Sequence, residues 1–189
     1  MLWITVIEWL ARLIFIILIG LSVWSISIII ERRRFFKSLA IPFEEYKKLV
    51  RSKKNEDLQT RPLVGELFTE LKSVRSTEQI EKVFDAYVVT KKSELEKGLP
   101  VLGTLGSTTP FIGLLGTVLG IIVSFGELSQ GTGNTNSVMF SLAEALILTA
   151  VGLVVAIPAV ISFNFFSRKS RFLLNEITAI KDLYIAYKD

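Results

Sequence analysis

The chain predicts an all-α integral membrane protein with three transmembrane helices and long cytoplasmic helical extensions, and three observations carry that prediction. Half of its 189 residues are hydrophobic and its mean hydropathy is +0.50, too apolar for a water-soluble domain. The apolar residues gather into three blocks, each long enough to cross a hydrocarbon core of roughly 30 Å, which needs about 20 residues of helix. The clustered Lys and Arg residues follow the first and third blocks, whereas the loop between the second and third has none, the asymmetry of a chain with an internal basic side.

The first block occupies residues 1–30. Leu13 to Ile30 is an uncharged run, preceded by Trp3, Glu8, Trp9 and Arg12 and followed at once by Glu31-Arg32-Arg33-Arg34. A secretory signal would place its positive charge before the apolar run and a small-residue cleavage site after it. The order here is that of a retained span with its amino terminus outside, Trp3 and Trp9 suiting the outer interface.

Residues 31–100 have the composition of a soluble helical segment. Leu63, Leu67 and Leu71 recur every four residues, and Ile80, Val83, Phe84 and Val88 mark an apolar face, so both stretches predict amphipathic helices. Ser76 with Gln79 three residues on makes a capping box, and Asn55-Glu56-Asp57 and Arg61-Pro62 break the helical pattern. The second span covers 101–128, with a kink expected at Pro110. An outside loop follows at 129–137, then the third span at 138–166. The tail, 167–189, places Leu173, Ile177, Ile180, Tyr184 and Tyr187 on one face of a cytoplasmic helix.

Composition excludes several functions. With no Cys and no His, a disulfide framework, zinc sites built on those ligands, cysteine nucleophiles and histidine bases are all ruled out. No phosphate-binding loop of the G-x-x-x-x-G-K-[ST] type is present, no catalytic constellation stands out, and no cofactor is expected. The net charge of +4 comes from residues flanking the apolar blocks rather than from a basic face, which points to membrane lipids and away from nucleic acid.

What an ordinary anchor does not need is a stripe of small and hydroxyl residues on each of the last two spans. On the second, Gly113, Thr117, Gly120 and Ser124 recur at helical spacing; on the third, Ser141, Ala145, Thr149, Gly152 and Ala156 do the same. Such seams pack helices closely where lipid gives no hydrophobic drive for association. They also suit the wall of a narrow lumen, with Thr117 and Thr149 as hydroxyl ligands. Glu144 is the one acid well within a span; facing lipid at mid-depth would cost about 2.5–3.5 kcal/mol, so protein or water is its expected neighbour.

The run Gly113-Leu114-Leu115-Gly116-Thr117-Val118-Leu119-Gly120-Ile121, followed by Glu144-Ala145-Leu146 and by Thr149-Ala150-Val151-Gly152-Leu153-Val154-Val155-Ala156-Ile157-Pro158-Ala159, resembles the MotA, TolQ and ExbB proton channel family, and three spans fit its ExbB and TolQ branch. The resemblance implies a homo-oligomeric ring, a pentamer in this family, in the bacterial inner membrane. Its second and third helices would surround a single-span partner of the ExbD or TolR type bearing an intramembrane Asp, with a TonB- or TolA-like protein beyond. Thr117 and Thr149 match the family's pore threonines, and Glu144 its intramembrane glutamate. The chain would then be the pore wall of a motor driven by proton motive force and not an enzyme. Threonines serve proton or sodium alike, and the cargo is open between iron-complex uptake, envelope constriction and motility. The alternative is a non-conducting scaffold that packs and recruits partners.

Overall fold

In the computed structural model, the described residues are 2–39, 43–52, 63–71, 74, 76–129, 131 and 135–187. They form six helices, α1 (Leu2–Ser38), α2 (Phe43–Arg51), α3 (Gly65–Leu71), α4 (Thr77–Glu96), α5 (Leu99–Ser129) and α6 (Thr135–Ala186), and no strand occurs among them. Three of these helices are long and apolar enough to cross a membrane. The chain divides into two compact units, Met1–Glu31 with Gly98–Asn164, and Arg32–Lys97 with Phe165–Asp189.

In the first unit the amino-terminal part of α1 packs with α5 and α6. Ile14 and Leu18 of α1 bury against Leu148 of α6, and Ile112, Leu119 and Val151 close around them. Toward the carboxyl end of α5, Gly126 lets Trp3 and Ile4 approach: a Cβ on Gly126 would meet the Trp3 ring at 2.8 Å. α5 is entered through Gly98, whose φ of +76° is cheap only without a side chain. The helix continues through Pro110 as one element, although the ring removes one backbone donor. Thr109, the residue before it, turns its hydroxyl to the Leu105 carbonyl.

The second unit is built from large side chains. Phe36, Tyr46, Leu67, Phe68, Leu71, Ile80 and Phe84 are buried, with Leu173, Ile177 and Ile180 of α6. Phe36 stacks on Phe166 at 5.3 Å between ring centres, and Phe68 meets Tyr184 edge-on at 5.4 Å. The buried Arg32 guanidinium donates to the Glu94 carbonyl at 3.0 Å, one of the acceptors that the last turn of α4 leaves unsatisfied. Lys47 bridges Glu176 at 3.0 Å and Glu44 at 3.3 Å; the hydrogen bond to Glu176, then that to Glu44, raises its pKa above the ordinary 10.5.

Several local expectations are corrected. Leu63 is not on the α3 helix: it lies in the preceding turn with φ +71°, and Val64, fully buried, takes the apolar position. Ser76 does stand at the N-cap of α4, but its side chain makes no capping hydrogen bond; its carbonyl accepts from the Ile80 amide at 3.0 Å instead. Tyr187 is exposed beyond the end of α6. The breaks expected at Asn55-Glu56-Asp57 and Arg61-Pro62 fall outside the described residues.

Candidate functional site

The small-residue seams of α5 and α6 meet each other. A Cβ on Gly113 would lie 2.8 Å from the Leu148 carbonyl oxygen and 3.0 Å from the Thr149 Cα; one on Gly152 would lie 2.8 Å from the Thr109 carbonyl oxygen. Backbones that close leave no room for any side chain, so glycine at both positions sets the separation of the helices. Further along, a Cβ on Gly120 would strike the Ala145 Cβ at 2.4 Å. Ala145 and Ala156 are buried, and Ser124 is 1% exposed, its hydroxyl returned to the Gly120 carbonyl at 2.9 Å. Gly116, absent from the stripe read in the sequence, belongs to the same contact, with Leu148 lying across it.

Within this seam stand the two threonines. Thr117 Oγ1 and Thr149 Oγ1 are 3.3 Å apart. Thr117 donates its proton to the Leu114 carbonyl at 2.7 Å, so toward Thr149 it is an acceptor, and the Thr149 hydroxyl is the donor. Thr117 is buried and Thr149 half-buried. The oxygen lone pairs of Thr149 are therefore the ones left to receive a proton donor or a cation. Two spans contribute one hydroxyl each to a single polar point surrounded by glycine and aliphatic side chains.

Glu144 is not at that point. It precedes Thr149 by about 7.5 Å along the helix axis, is exposed on the protomer, and lines a cavity of about 650 Å³ with Ser141 of its own helix and Glu8 and Arg12 of α1. The Arg12 guanidinium lies 5.7 Å from the Trp9 ring centre. The sequence marks Glu8 and Arg12 only as flanks of the first span; their spacing of four residues, one helix face, was the available signal that they line one surface. Among the described residues no cluster of three or more acidic side chains is placed to hold a metal ion.

Residues 54–179 match the MotA/TolQ/ExbB proton channel family. The chain is 41% identical over 97 residues to a biopolymer transport protein ExbB of Xanthomonas campestris, covering 51% of this chain and 38% of that protein. It is 41% identical over 110 residues to the Tol-Pal system protein TolQ of Pseudomonas aeruginosa, 58% of this chain and 48% of the relative. With an ExbB of Aquifex aeolicus it shares 42% identity over 113 residues, 59% and 69% of the two chains. The matched stretch thus spans less than half the length of the first two relatives. The family match over 54–179 contains α5, most of α6 and every residue of the seam.

Proposed function

We propose, from the premise that this chain belongs to the MotA/TolQ/ExbB proton channel family, that it is the pore-wall subunit of an ion-driven motor in a bacterial inner membrane. The observation that carries this reading is the Thr117–Thr149 hydroxyl pair at 3.3 Å, one residue from each of two spanning helices. Copies of the chain form a ring, with amino termini outside and carboxyl termini in the cytoplasm. The ring surrounds a single-span partner of the ExbD or TolR kind whose intramembrane Asp carries the ion, and the motion reaches a TonB- or TolA-like protein.

In this reading the wall does not carry the main charge. The Thr149 oxygen offers a transient ligand to a protonated carboxyl or a partly dehydrated cation as the partner's Asp passes. The closely packed glycines behind it hold the ligand at a fixed radius, and small side chains let a central helix turn at low steric cost. One charge moving through 100 mV releases about 2.3 kcal/mol, which biases a conformational step roughly fifty-fold. Thr149→Val removes the ligand while keeping the shape: rings are expected to assemble as before, with most proton-driven coupling lost in cells or reconstituted vesicles. Undiminished coupling in that variant would remove the threonines from the ion path.

A second reading, a non-conducting scaffold, is favoured by the same seam, because close backbone contact between α5 and α6 is sufficient reason for its glycines. It separates from the first at Glu144: Glu144→Gln leaves a scaffold intact and slows a motor that uses the carboxylate.

A further inference from the structure

The cavity beside Glu144 is too large and too charged to be packing slack. Its volume of about 650 Å³ is that of a small-molecule site, and α1, α5 and α6 all contribute to its wall. Taking 1.5 Å per residue, Arg12 and Glu144 both lie roughly 13–15 Å in from the starts of α1 at Leu2 and α6 at Thr135. That depth places both in the half of the bilayer where α1 begins, within reach of a lipid of that leaflet. Neither Glu8, Arg12 nor Glu144 has a hydrogen bond or ion pair among the described residues. Three charges within about one helical turn of each other in depth, facing one cavity, leave a large desolvation cost uncompensated within the protomer.

We propose that this cavity is a binding site for a zwitterionic aminophospholipid, phosphatidylethanolamine, from the leaflet at the amino-terminal end of α1. The charge pattern selects the headgroup. A guanidinium holds a phosphate through two parallel hydrogen bonds, and Arg12 supplies it. Two carboxylates, Glu8 and Glu144, then face the ammonium. A headgroup without a cation, such as phosphatidylglycerol, would satisfy Arg12 but offer the two carboxylates only neutral hydroxyls. The rest of the wall, including Phe15, Ile16 and Val123, takes an acyl chain. Bound this way, the lipid neutralises Glu144 and ties α1 to α6, whether or not the protein conducts ions.

The test uses the full-length oligomer, extracted in mild detergent, stripped of lipid, and titrated with phosphatidylethanolamine or phosphatidylglycerol of identical acyl chains, with bound lipid read by native mass spectrometry. The wild-type protein should take up phosphatidylethanolamine, near one per protomer, at least about tenfold more tightly than phosphatidylglycerol. Arg12→Gln should weaken phosphatidylethanolamine about tenfold, the scale of one lost charge-assisted contact, and Arg12→Lys, which keeps the charge and controls for folding, should retain most of the binding. Joint replacement Glu8→Gln with Glu144→Gln should erase the preference between the two lipids. Equal retention of both lipids by the wild type overturns the proposal, as does unchanged binding in Arg12→Gln. Failure of the stripped wild-type oligomer to rebind either lipid also overturns it, because the cavity would then be filled by a neighbouring copy.

Discussion

The two units of this chain solve the same packing problem with opposite materials. In the unit that holds most of the spanning helices, the tightest contacts are between glycine, alanine and hydroxyl residues, and large apolar side chains such as Phe111, Leu115 and Phe125 point outward. In the other, Phe36, Tyr46, Phe68 and Phe84 are inside, and charged residues such as Lys82 and Glu78 are outside. Lipid is as apolar as leucine, so burying leucine in a bilayer gains little, and close backbone approach decides which helices associate. Against water, each buried aromatic contributes through the surface it removes from solvent. The difference is one of solvent and needs no difference in secondary structure, since both units are helical.

Replacements that exchange the two strategies test this directly. The largest effect should come from the aromatic core: Phe84→Ala, at a site with no exposure, is expected to cost about 3–5 kcal/mol, read as a fall in the melting temperature of the detergent-solubilised protein. Gly152→Ala adds one methyl group where the Thr109 carbonyl stands 2.8 Å away, and should cost about 1–3 kcal/mol by pushing α5 and α6 apart. The control is Gly20→Ala on α1, where nothing lies within 4 Å; better helix propensity should make it neutral or stabilising by up to about 1 kcal/mol. If Gly152→Ala behaves like Gly20→Ala, the seam does not set the helix separation.

Smaller effects sharpen the water-facing side of the comparison. The Tyr87 hydroxyl is buried with no partner among the described residues, so Tyr87→Phe should stabilise by about 1 kcal/mol. Burial pushes its pKa well above the ordinary 10.0, helped by Glu66, Glu94 and Glu70. The folded chain therefore keeps this proton at a pH where the unfolded chain has lost it, and stability should fall as pH rises past 10. At Lys91 burial alone would lower the pKa, but hydrogen bonds to Glu94 and Glu66 outweigh it and raise the value above 10.5. Its contribution is present below that pH and is lost above it, in the same direction. Melting curves between pH 9 and 11 should slope downward, and less steeply in Tyr87→Phe; a flat profile would mean that Tyr87 is solvated.

Periodicity and flank charges made the three spanning helices legible, because both follow from the length of a bilayer and the cost of moving a guanidinium across it. The face of α4 was readable for the same reason. What spacing cannot supply is the partner of a face. Thr117 and Thr149 each fall on a small-residue stripe in the sequence, but only the fold brings their oxygens to 3.3 Å. Glu8 and Arg12 were read as boundary charges because they were judged along their own helix, and the cavity they line with Glu144 is a property of α1 and α6 together. Leu63 fits a four-residue repeat, yet its backbone is left-handed. Ser76 has the right neighbour for a capping box, but its hydroxyl does not turn back to the helix, an orientation that the residue type does not determine.

Arg32 belongs to the cluster of positive charge that follows the first apolar block, and its guanidinium also ties down a carbonyl at the end of α4. A charge of the kind that orients a span in a bilayer is thereby also a structural tie, holding the carboxyl-terminal part of one helix to the end of another.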